Sequence, residues 1–62
     1  MSRDELLLEL RKNVSENGTV QFNFSSDLAV KKRELSILES LEKEGYIQRL
    51  TLALGYAIYH VF

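Results

Sequence analysis

Residues 31–50 read KKRELSILESLEKEGYIQRL, and the reading of this stretch decides the fold. Leu35, Ile37, Leu38 and Leu41 recur at the spacing of one face of an α-helix. Lys43 falls in the last turn, where a cation suits the negative end of the helix dipole. Gly45 then offers the left-handed residue that ends a helix, and Tyr46 or Ile47 can fold back onto the final turn. From Tyr46 onward the chain is rich in the Tyr, Ile, Thr and Val that favour strands. The stretch therefore predicts a helix that stops at a glycine and turns directly into a sheet.

Upstream, residues 19–24 alternate strictly. Val20, Phe22 and Phe24 point one way and Gln21 and Asn23 the other, as in a strand with one wet face. Ser25, Ser26 and Asp27 are candidate caps for the next helix. Residues 26–44 contain no Gly or Pro, and Leu28 shares a sector with Leu35, so a single continuous helix that buries Leu28 is set against two shorter ones. At the N-terminus Ser2 and Glu5 have the spacing of a capping box. Leu6, Leu7, Leu10 and Val14 share a face of a first helix, with Leu8 off the stripe, and the Glu16-Asn17-Gly18 turn signal predicts its end near Ser15. Downstream, strands over residues 46–53 and 56–62 are joined by a short turn near Leu54-Gly55. In the last strand Tyr56, Ile58, His60 and Phe62 take one face, and Ala57, Tyr59 and Val61 the other.

The fold class expected is α+β, in the order helix, strand, helix, strand, strand, with a three-stranded antiparallel sheet in one domain over residues 1–62. In its core Val20, Phe22 and Phe24 should pack against Leu6, Leu10, Leu35, Leu38 and Leu41. With 62 residues and no cysteine, stability must come from packed apolar side chains, helped by a second chain where the core falls short. The lack of cysteine suits a reducing cytosol, and a cytoplasmic location is the expectation. No apolar run approaches the roughly 20 residues that span a bilayer, and the acidic, leucine-rich start does not read as a signal peptide. Eight basic against nine acidic residues leave a formal charge of −1, so any nucleic-acid contact must come from local clustering.

The leucine-bearing helix ending LEKEGYIQR, residues 41–49, with the leucine repeat before it, resembles the end of the recognition helix and the first wing strand of winged helix-turn-helix domains. The resemblance implies a small transcription-regulating protein that binds double-stranded DNA. Lys31, Lys32 and Arg33 would then meet phosphates or guanine edges, Ser36 and Ser40 would approach bases, and Lys43 would complete the outward face. The chain departs from that pattern in two ways. Only residues 27–30 are available for the short first helix of a helix-turn-helix, and the wing at Leu52-Ala53-Leu54-Gly55 carries no Lys or Arg. Glu39, in the middle of the outward face, would repel phosphate.

An alternative reading is a non-enzymatic protein-interaction module, a dimeric adaptor or inhibitor without nucleic acid. Leu50, Leu52, Leu54, Tyr59 and Val61 are numerous for so small a core, and burial against a second copy or another protein accounts for them. No nucleophile set, phosphate-cradling glycine loop or metal-ligand cluster is present, so neither an enzyme, a cofactor, a metal nor a small-molecule substrate is expected. His60 reads as structural. Glu34 reads as a carboxylate satisfied by free N–H groups near the start of its helix.

Overall fold

The computed structural model describes residues 2–62. It contains five elements: α1 (Arg3–Lys12), β1 (Thr19–Asn23), α2 (Leu28–Lys43), β2 (Ile47–Leu52) and β3 (Tyr56–Val61). The expected class and element order are found. The sheet is antiparallel throughout with strand order β1-β3-β2, so the last strand lies between the other two.

Local chemistry sets most boundaries. The Ser2 hydroxyl accepts from the Glu5 N–H at 3.2 Å, starting α1. The helix stops at Lys12, earlier than the turn signal predicts. Asn13 caps it, its amide donating to the Glu9 carbonyl at 2.9 Å and to the Glu9 carboxylate at 3.2 Å. An asparagine that satisfies end carbonyls competes with one more helical turn. Asp27 is the cap chosen for α2, accepting from the Ala29 and Val30 N–H groups. From there α2 runs unbroken for 16 residues, so the stretch is one helix. At its far end the Tyr46 N–H donates to the Leu41 carbonyl and the Gly45 N–H to the Glu42 carbonyl, both at 3.1 Å, with Gly45 at φ +85°. These are the paired reverse bonds of a Schellman ending.

The core lies between the two helices and one face of the sheet. It holds Leu6, Leu7 and Leu10 of α1, Leu38 and Leu41 of α2, Ile47 of β2, Val20 of β1, and Ala57 and Tyr59 of β3. Phe22, Phe24, Ile37 and Val61 pack against it without being enclosed, and Leu35 is half-buried. Phe22, Phe24 and Leu35 therefore contribute less to the interior than their sequence pattern implies. The reason is position: β1 is an outer strand, and only the C-terminal half of α2 supplies buried side chains. Leu28, at the opposite end of that helix, is 76% exposed and not buried.

Cross-strand pairs define the two faces of the sheet. The helix-facing side carries Val20, Phe22, Ile47, Arg49, Leu52, Ala57, Tyr59 and Val61, and the other carries Thr19, Gln21, Asn23, Gln48, Thr51, Tyr56, Ile58 and His60. Arg49 pairs with Tyr59 and Thr51 with Ile58, leaving Leu50 as the extra residue of a bulge. That one residue shifts the alternation and brings Leu52 round to the helix-facing side, opposite Ala57.

Candidate functional site

The outward face of α2 divides into two halves of different character. Lys32 and Arg33 are exposed in the N-terminal half, and Ser36 is exposed where the two halves meet. In the C-terminal half Ser36, Glu39, Ser40, Glu42 and Lys43 border an open hollow of about 390 Å³, and its carboxylates are its dominant charge. Lys43 is exposed there and Ser40 half-buried. Glu42 is turned toward the sheet, where its Oε1 accepts from the Arg49 N–H at 2.8 Å. The phenol of Tyr59 lies close enough to register these charges. Its pKa is pushed up mainly by burial, further by Glu42, against the pull of Arg49, with a last upward contribution from Glu39.

Lys31 does not join Lys32 and Arg33. Its ammonium donates to the Leu54 carbonyl at 2.6 Å and stands 5.4 Å from the centre of the Phe24 ring. It is a strut between the start of α2 and the hairpin tip. Beneath it opens a cleft of about 420 Å³ lined by Lys31, Leu35, Leu52, Ala53 and Leu54. Leu28, one turn before Lys31 on the same stripe of helix, extends this apolar surface, and Leu54 is 91% exposed at its rim. Helical spacing disguises Leu28 and Leu35 as core residues, because their period is that of a buried face. What betrays them is that no apolar segment among the described residues covers the first turns of α2, where Leu28 is left exposed.

Of the five hairpin residues expected at an interface, the structure leaves three exposed, and two of them, Leu52 and Leu54, line the cleft. Leu50 and Leu52 are each 52% exposed, and Leu54 stands at the tip. Tyr59 belongs instead to the core at 3% exposure, and Val61 packs against that core. The apolar excess of β3 is thus mostly absorbed inside, and the opposite sheet face is largely polar.

Glu34 accepts from the Ser25 N–H at 2.9 Å, so it anchors the loop before α2. His60 sits on the polar sheet face, edge-on to Phe62 with ring centres 4.8 Å apart. Among the described residues no three His, Cys, Asp or Glu side chains converge, and no helix is long and apolar enough to cross a membrane. Comparison with protein-family models, with curated proteins and with solved structures gave no match for this chain.

Proposed function

We propose that the chain is a non-enzymatic protein-interaction module, an adaptor or inhibitor that grips a partner in the cleft between the start of α2 and the hairpin tip. The observation that carries this reading is the open leucine-lined cleft beside two side chains, Leu28 and Leu54, that are 76% and 91% exposed. Single exposed leucines are ordinary, but a contiguous group around a concavity is the usual mark of an interaction site. The rim selects the partner's chemistry. Lys31 stands at the cleft itself, exposed Lys32 follows it on the helix, and Arg33 borders the neighbouring hollow of Val30, Glu34 and Ile37. The carboxylates at this end, Asp27 and Glu34, already accept from backbone amides. An apolar peptide segment flanked by carboxylates suits that surface. Its leucines would fill the cleft and its acids would meet the exposed Lys32, next to Lys31 on the helix.

The DNA reading has one observation in its favour: Lys32 and Arg33 are exposed in the half of α2 that a helix-turn-helix protein turns to the major groove. Against it stand the loss of Lys31 to Leu54, the acidic second half of the face and the uncharged hairpin tip. Each phosphate neutralised would add about 0.9 to the slope of log affinity against log salt, and three exposed cations, Lys32, Arg33 and Lys43, give a shallow slope.

Amide chemical-shift mapping separates the two. A synthetic amphipathic peptide of leucines flanked by glutamates should move the resonances of residues 28–35 and 52–56, and Leu54→Asp should remove the effect. The same peptide with lysines in place of glutamates should not bind. A random duplex tested in parallel should leave Lys32, Arg33 and Ser36 unmoved. Salt-sensitive shifts at those three positions, with none from the acidic peptide, would replace the interaction reading with the DNA reading.

A further inference from the structure

We propose that the outer edge of β1 pairs with the β1 edge of a second copy, joining two three-stranded sheets into one about a two-fold axis at Phe22. The inference is independent of the cleft and rests on backbone groups.

Strand order leaves β1 at an edge. Val61 donates to the Gly18 carbonyl at 2.8 Å and Phe24 donates to the Gly55 carbonyl at 3.0 Å, at either end of the β1–β3 ladder. In an antiparallel ladder the bonded residues alternate, so Val20 and Phe22 turn their backbone groups to β3 as well. Thr19, Gln21 and Asn23 turn theirs outward. Thr19 is already served: its carbonyl accepts from the Ser15 N–H at 2.8 Å, and its own N–H reaches the Ser15 hydroxyl at 3.4 Å. Gln21 and Asn23 remain, two N–H and two C=O groups with no partner among the described residues.

Natural edge strands are blunted by charge, proline, a bulge or a covering element. The β1 sequence Thr-Val-Gln-Phe-Asn has no charge and no proline, and its pairing with β3 runs without a register shift. It is also self-complementary. Antiparallel pairing centred on Phe22 sets Gln21 opposite Asn23 of the second copy, and Asn23 opposite its Gln21. These two bonded pairs use all four free groups on each chain and disturb none of those held by Ser15. On the helix-facing side Phe22 meets Phe22, and Val20 meets Phe24. The half-buried Phe22 and Phe24 rings, 5.6 Å apart and edge-to-face, are thereby covered. On the other side Gln21 and Asn23 amides lie across from each other. A register centred on Gln21 would instead require the Thr19 groups that Ser15 occupies.

A single added strand pair makes a small interface, so association should be weak, and sedimentation should span about 10 micromolar to about 1 millimolar. The parent should pass from its 7.2 kDa monomer mass to twice that mass over this range. Exchange of the Gln21 and Asn23 amides should slow as concentration rises, while that of Leu52 should not. Gln21→Pro, which removes an outward donor at a position where an edge strand tolerates proline, should hold the chain monomeric. Because that variant can fail to fold, a charge pair tests the register in folded protein. Gln21→Lys with Asn23→Lys, and separately Gln21→Glu with Asn23→Glu, should each be monomeric, and an equimolar mixture should restore the dimer. Leu54→Asp should leave the dimer intact. A parent that stays monomeric throughout, a dimer whose Gln21 and Asn23 amides exchange at a concentration-independent rate, or one untouched by the like-charge variants would overturn the proposal.

Discussion

The sheet has two edges, and the chain treats them differently. Along β2, Phe62 donates to the Tyr46 carbonyl, so by alternation Arg49 turns its backbone away from β3. There the Glu42 side chain descends from α2 to accept the Arg49 N–H. One residue later the Leu50 bulge breaks the line of the edge. Along β1 neither device is present beyond Thr19. The difference stems from connectivity. The Schellman turn at Gly45 delivers β2 directly beneath the helix it leaves, so a helix side chain can reach its edge. β1 is reached through a separate loop from α1 and has no helix side chain over its outward groups.

The largest expected effect tests how firmly each edge is tied to the core. Ile47, at 1% exposure, anchors β2, and Ile47→Ala should cost about 3 kcal/mol, the ordinary range for an aliphatic side chain lost from an interior. Phe22→Ala on β1 should cost about half as much despite the larger side chain, because its ring is only half-buried. Urea unfolding at a low concentration that keeps the chain monomeric makes the comparison. Equal losses would mean that β1 is held as tightly as β2.

A smaller contrast lies in the glycines that lead into the two edges. Gly18 and Gly45 both have positive φ, +82° and +85°, so an alanine at either costs about 1 kcal/mol for the left-handed backbone. At Gly45 an added Cβ meets nothing. At Gly18 it would stand 2.9 Å from His60 Cε1 and 3.3 Å from Nδ1. That imidazole is also packed edge-on against Phe62, so it cannot swing aside without losing a contact. Gly18→Ala should therefore destabilise by roughly twice as much as Gly45→Ala, and adding His60→Ala should recover the excess. If the two glycine variants unfold at the same urea concentration, His60 yields freely.

What the sequence reveals here is what neighbours in the chain decide. The helix ending at Gly45, the alternation of β1 and the Asp27 cap are all set by residues within one turn of each other. The unbroken α2 is only partly legible: residues 26–44 hold no Gly or Pro, which suits one helix, yet that absence alone does not exclude a turn after residue 30. The Leu50 bulge is not legible, since it exists only as a mismatch between β2 and a strand that pairs with it later in the chain. Tyr59 reads as a surface residue for the same kind of reason: β3 looks like a terminal strand in sequence and is central in space. Lys31 carries the same charge as its two neighbours, yet the hairpin tip above it takes its ammonium. Of the candidate site, the exposed hairpin leucines are readable and the cleft is not. The cleft depends on how far α2 overhangs the sheet.

The smallest expected effect concerns the group that caps β2 from above. Glu42 bonds the Arg49 N–H and also helps raise the pKa of the Tyr59 phenol, second to burial. The sign of the consequence is fixed by linkage. An unfolded tyrosine ionises near pH 10, and in the folded chain Tyr59 holds its proton to higher pH. Between those two values unfolding releases a proton, so stability is complete below about pH 10 and declines as pH rises through the folded value. Other groups titrate in the same region, which is why the comparison is between variants. Tyr59→Phe should unfold at nearly the parent's urea concentration near pH 7 and lose less stability than the parent above about pH 10. Glu42→Gln keeps an acceptor for Arg49 while removing the charge, so it should moderate the alkaline loss without opening the edge, and exchange of the Arg49 amide should stay slow. Glu42→Ala removes both, and that amide should exchange faster. A parent and a Tyr59→Phe variant with the same alkaline decline would place the titrating group elsewhere. An Arg49 amide indifferent to Glu42→Ala would show that the bulge alone closes this edge.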